Sequence, residues 1–200
     1  MEAIEIDKID GRRARGLRTR DAIISALLDL VSSGDVAPTA QRIADRAGVS
    51  VRSVYQHFSD VEGLYADATE RTYAWVRDAA KDVDTSLPVA RRVDAFVEDR
   101  TTNLEALLPF HRAVRLMEPG SDRVRGYRLA MEKWEKDRVA KVFAPEFRGM
   151  NSSQRSAVLA GIDVLASAES WDRLRRSGQS TRSARQVLRS GILCLLATTG

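Results

Sequence analysis

Ile23, Ala26, Leu27, Leu30 and Val31 recur at intervals of three and four, the spacing that gathers them on one face of an α-helix. The pattern predicts a helix from about Leu17 to Ser32, ended by Ser33-Gly34-Asp35. Pro38-Thr39 then opens a short helix with Thr39 as its N-cap, and Gly48 closes it. Ser50 caps the next helix, Val51 to about Phe58. Ser59-Asp60-Val61-Glu62 has capping-box spacing, so a fourth helix should start there and reach about Val83.

Further along, the apolar stripes lengthen. After the break at Asp84–Pro88, Val89, Val93, Phe96, Val97, Leu104, Leu107 and Leu108 form one stripe. Pro109 and the turn Glu118-Pro119-Gly120-Ser121 should bracket a short helix of their own. Val124, Tyr127, Met131, Trp134 and Val142 mark a long helix ending near Pro145. Ser152 to about Ser177 is apolar on more than one face and predicts a single helix buried on two sides. Gly178 breaks it, and Ser180 to Ala197 forms the last helix. No segment alternates as a strand does, and no repeat is present. The chain reads as all-α.

Composition narrows the field. Two hundred residues with 44% hydrophobic and 30% charged content are those of an ordinary globular chain. One cysteine, Cys194, leaves no disulfide framework. The first 20 residues lack an apolar signal region, and the run Ala157 to Ala168 is too short for a bilayer and carries Asp163. The chain is therefore read as cytoplasmic, with no membrane partner. Only two histidines, His57 and His111, are present and no cysteine lies at ligand spacing, so neither a metal nor a cofactor is expected. No nucleophile elbow, phosphate-cradling glycine loop or His-Glu-x-x-His occurs, and the chain is not read as an enzyme. The net charge of +4 is modest, but residues 11–58 hold eight arginines against four aspartates. Such a segment suits phosphate binding and equally suits a solvated arm.

The informative stretch runs from Thr39 to Phe58. Two short helices that cross closely need a small residue at the crossing (Ala44), a glycine able to take positive φ in the turn (Gly48), and apolar seam residues (Ile43, Ala47, Val49, Val54). All are present at consistent offsets. In a helix-turn-helix the second helix enters the major groove, and here that helix is Val51 to His57. Helix-glycine-helix corners also occur in proteins that never meet DNA.

The run Ile43-Ala44-x-x-Ala47-Gly48-Val49-Ser50…Val54-Tyr55-x-His57-Phe58…Glu62-x-Leu64 resembles the signature of the tetracycline-repressor (TetR) family. The match is strong over residues 15–66; a weaker one covers Trp171-Asp172-Arg173-Leu174-Arg175-Arg176-Ser177-Gly178…Ser180. The resemblance implies a flexible basic arm at 1–14, a helix-turn-helix domain at 15–66 and a ligand-sensing, dimerising domain at 67–200. It further implies a regulator, most often a repressor, that binds a palindromic operator as a homodimer through its last two helices. A small-molecule effector would release it. By the same resemblance Tyr55 and His57 contact backbone phosphates, as do Thr39 and Ser53 from the helix starts, with Ser50 capping beside them. Gln41, Val51, Arg52 and Gln56 sit where base-reading side chains project, Arg52 being suited to guanine. Arginines 12, 13, 15 and 18 either track phosphates or stay solvated. The sequence departs from the family at Val61, where a lysine is usual; the exposed start of the fourth helix could still hold that phosphate.

The second half names its pocket only through polar residues that interrupt apolar stripes. Arg100 lies in phase with Phe96, Val97, Leu104 and Leu107, with Asn103 beside that face. A buried charge there needs a partner: an anionic ligand, or an acid such as Asp163 or Glu169. His111, Tyr127, Met131 and Trp134 are further candidates for lining a cavity, although such a stripe makes core more often than site. Against the effector-released repressor stands a DNA-binding or architectural protein that needs no ligand.

Overall fold

Two turns of helix cannot stand alone in water, so the short helices of this chain depend on their ends and on what they bury. The computed structural model describes residues 2–197, with side chains from residue 13 onward. It comprises α1 (Glu2–Ser32), α2 (Ala40–Ala47), α3 (Val51–His57), α4 (Val61–Ala79), α5 (Val89–Met117), α6 (Asp122–Val142), α7 (Ala144–Phe147), α8 (Ser152–Leu165), α9 (Ala168–Arg176) and α10 (Thr181–Ala197). A 3₁₀ turn, Glu118–Gly120, joins α5 to α6. Among the described residues there is no strand, as the all-α reading expects.

The chain forms two compact units. The first holds residues 1–72 and 109–127, the second 73–108 and 128–200. The first therefore gains a returning segment, 109–127, beyond the expected boundary at residue 66. In this unit Ile23, Leu27 and Val31 of α1 meet Ile43 and Ala44 of α2, Val54 of α3, Leu64 and Tyr65 of α4, and Phe110, Ala113 and Val124. Ile23, Leu27, Ile43 and Leu64 are fully buried, each contributing roughly 1.5–3 kcal/mol against exposure. The second unit has its own core, in which Phe96 and Phe143 pack edge to face with Val93, Phe147, Val158, Ile162, Trp171, Leu188 and Ile192.

Four expectations are corrected. The helix predicted from Leu17 begins at Glu2, so the segment expected to be a flexible arm is helical backbone. Residues 2–32 contain no proline, and Gly11 and Gly16 weaken a helix by only about 1 kcal/mol each. Secondly, α5 runs on through Pro109. The residues flanking the proline, Leu108 and Phe110, are both buried, and their packing outweighs the lost backbone hydrogen bond. Thirdly, the predicted single helix 152–177 is two, because Ser167 caps α9 by accepting from the Ser170 N–H at 3.2 Å. Lastly, Asp60 rather than Ser59 caps α4: its carboxylate accepts the Gly63 N–H at 2.7 Å.

Candidate nucleic-acid interface

The α2–α3 corner is built from its caps inward. Thr39 has extended backbone, and its hydroxyl accepts the Arg42 N–H at 3.3 Å. Gly48 takes the left-handed conformation at φ 68°, which ends α2 and lets the Val49 N–H return to the Ala44 carbonyl at 3.0 Å. Ser50 then caps α3 by accepting the Ser53 N–H at 3.1 Å. Ile43, Ala44 and Val54 form the seam that holds the two helices at their crossing.

With Val54 turned inward, Arg52, Tyr55 and Gln56 are left exposed on α3, Tyr55 by 51%. Arg52 makes no hydrogen bond or ion pair with a described residue. Its neighbours differ: Arg42 pairs with Asp35 at 2.6 Å and Arg46 with Asp29 at 3.1 Å. Gln41 is exposed and donates to Asp45 at 2.8 Å. Val51 and Ser53 are half-buried, and Val51 packs against the unit's core. His57 is half-buried, its ring lying where a Cβ on Gly16 would be 3.8 Å from Cε1. All nine candidate DNA contacts thus lie on the helices and caps of a single corner, three of them, Val51, Ser53 and His57, half-buried. Arg13, Arg15 and Arg18 are exposed on α1, and the Arg12 side chain lies outside the described residues. At the start of α4, Asp60 already occupies the helix terminus, and a carboxylate there competes with a phosphate.

The residue that sequence reasoning missed is Arg20. It donates to the His57 carbonyl at 2.6 Å and pairs with Asp67 of α4, while its guanidinium lies 4.3 Å from the centre of the Phe58 ring. Asp67 also takes Arg123 of α6 at 3.1 Å, and the Tyr127 hydroxyl donates to Glu70 at 2.9 Å. Arg20 ends a run of basic residues in the sequence, where nothing separates it from its solvated neighbours.

The six candidate ligand residues divide between the two units. His111 and Tyr127 belong to the first unit; Arg100, Asn103, Met131 and Trp134 belong to the second. Arg100 is buried, but its partner is neither Asp163 nor Glu169: Glu135 of α6 pairs with it at 2.5 Å, and its Nε donates to the Ala166 carbonyl at 2.8 Å. Burial pushes the Glu135 carboxyl upward despite Arg100 beside it, and burial likewise raises Asp163. The cavity that Arg100 lines with Phe96, Arg138 and Asp163 measures about 10 Å³, room for about one water. Trp134 lines a separate groove of about 390 Å³ with Arg77, Lys81 and Arg138. Asn103 and Met131 are buried.

A two-unit helical chain whose first unit presents a capped helix-turn-helix with polar side chains outward has the form of a DNA-binding regulator. Residues 23–68 match the family described as bacterial regulatory proteins, tetR family. The N-terminal domain of this chain is thus of the tetR family. No curated protein matches it. In three dimensions it is similar to a transcriptional regulator from Rhodococcus sp. Rha1, with a TM-score of 0.71 and 15% identity over 90% of this chain and 97% of that one. It is also similar to a candidate transcriptional regulator from Pseudomonas aeruginosa PAO1, with a TM-score of 0.60 and 18% identity over 89% and 90%. At such identities these two likenesses speak for the fold alone. Among the described residues, no helix is long and apolar enough to cross a membrane, and no cluster of three or more potential metal ligands occurs.

Proposed function

We propose that this chain is a cytoplasmic repressor that binds a palindromic operator as a homodimer and is released by a small-molecule effector. The observation that carries the DNA-reading part is the outward face of α3, where Arg52, Tyr55 and Gln56 are exposed and Arg52 has no partner among the described residues. Arg52 and Gln56 read base edges; Tyr55, His57, Thr39 and Ser53 hold phosphates. The second copy docks through α8 and α10, whose outward faces carry the exposed Val164 and Val187. Two recognition helices then meet half-sites roughly 34–36 Å apart. An effector releases the operator by favouring a dimer in which that spacing is lost, so DNA and effector affinities are reciprocally linked.

One observation favours a second reading, in which the chain binds DNA without an effector. The Arg100 charge is already met by Glu135, and the cavity beside it has room for only about one water.

Selection of bound sequences from a random duplex pool, followed by mobility shifts across a salt series, tests the proposal. A two-fold-symmetric enriched site, bound by a dimer and lost in Arg52→Ala, is expected. The absence of any enriched sequence would overturn it.

A further inference from the structure

The recognition helix α3 is only seven residues long, and three of its candidate DNA contacts, Tyr55, Gln56 and His57, lie in its last turn. The last carbonyls of any helix lack intrahelical donors. At the start of α3, Ser50 supplies the missing partner. At its end Arg20 does, donating from Nη1 to the His57 carbonyl at 2.6 Å, and a cation at this terminus also opposes the helix dipole.

Arg20 does more than approach the helix. Its second terminal nitrogen pairs with Asp67 of α4, and its guanidinium plane covers the Phe58 ring at 4.3 Å. Four residues earlier on the same face of α1, Gly16 is the point beside which the His57 ring lies. Asp67 is in turn fixed from the far side by Arg123 of α6 at 3.1 Å. The end of α3 is thus held by a guanidinium that is itself held by a carboxylate with a second cation behind it. A lone surface arginine spends its time among many rotamers; this one is fixed through three of its faces.

We propose that Arg20 is a positioning residue for operator recognition: it fixes the last turn of α3 through the His57 carbonyl and touches no DNA itself, with Asp67 holding its guanidinium in place. The proposal rests on the reading of α3 as the DNA-reading helix. Lysine replaces it only in part, because a compact ammonium lacks the planar fork that reaches the carbonyl and the carboxylate while covering the ring.

The test uses the full chain and the duplex that the wild type selects from a random pool, beside a scrambled duplex of equal length. Affinities for both are measured from 50 to 300 mM salt for wild type, Arg20→Ala, Arg20→Lys, Asp67→Asn and Arg52→Ala. Arg20→Ala is expected to lower the specific affinity about tenfold, with non-specific affinity and the slope against log salt unchanged. Arg20→Lys and Asp67→Asn should fall between it and wild type, and they keep the test open where Arg20→Ala does not fold. A slope reduced by about one unit would make Arg20 a phosphate contact and overturn the proposal. Lower thermal stability with an unchanged ratio of specific to non-specific affinity would also overturn it. Failure of the DNA-reading proposal shows itself differently: the wild type itself then selects nothing and Arg52→Ala is silent.

Discussion

Leu165 of α8 occupies the space that a side chain at Gly191 of α10 would need: a Cβ there would lie 2.8 Å from Leu165 Cδ1. The relationship is reciprocal, since a Cβ on Gly161 of α8 would lie 2.9 Å from Leu195 Cδ1 of α10. Each helix therefore offers a leucine to the other's glycine, and the two backbones approach closely. Gly191→Ala should couple to Leu165→Ala by about 0.5–2 kcal/mol, the alanine being better tolerated once the leucine is gone. Urea unfolding of the four members of that cycle measures the coupling. Additive effects would show that the leucine moves aside freely.

The pair of buried Arg100 and half-buried Glu135 makes the second prediction. Removing Glu135 leaves the Arg100 charge buried without its carboxylate, so Glu135→Leu alone should destabilise by roughly 3–5 kcal/mol, and Arg100→Met, which leaves the half-buried Glu135, by less. The double substitution should recover most of that loss. Denaturant midpoints of the two single variants and the double decide it.

Tyr65 is buried, with its hydroxyl 3.3 Å from the Val36 carbonyl, and burial together with Asp35 pushes its ionisation up to about 12 from 10. The folded state thus holds the phenolic proton where the unfolded chain releases it. Stability from this group is full below pH 10 and is lost as pH rises from about 10 to about 12, by roughly 2 kcal/mol. Chemical denaturation between pH 9 and 12 should show a loss in wild type that Tyr65→Phe lacks.

Ser50 and Arg52 lie two residues apart and should fail in different ways. Ser50→Ala removes the cap of α3 and costs about 1 kcal/mol of stability without any DNA present. Arg52→Ala leaves stability within about 0.5 kcal/mol, yet relaxes base discrimination by roughly 1–3 kcal/mol at one position of the bound site. Thermal melts and a mismatch series on the selected duplex separate the two.

The helix-turn-helix was legible because its requirements are local: caps at Thr39 and Ser50, a left-handed turn at Gly48 and a seam at fixed offsets. What escaped the sequence depends on partners far along the chain. Nothing near Glu135 says that it will meet Arg100, and nothing in the basic run distinguishes Arg20 from Arg18. Pro109 signalled a break by its own chemistry, while the burial of its neighbours, which overrides that signal, is a tertiary fact. The division of residues 152–177 was readable in principle from Ser167 and Ser170, but the apolar pattern on either side concealed it.

The arrangement of α3 also separates two duties. Val54 from beneath and Arg20 from α1 secure the helix, and neither is among the side chains that α3 leaves exposed. Arg52, Tyr55 and Gln56 lie outside the buried core, so on the proposed reading a lineage can exchange them, and with them the sequence it addresses, while the frame beneath stays folded.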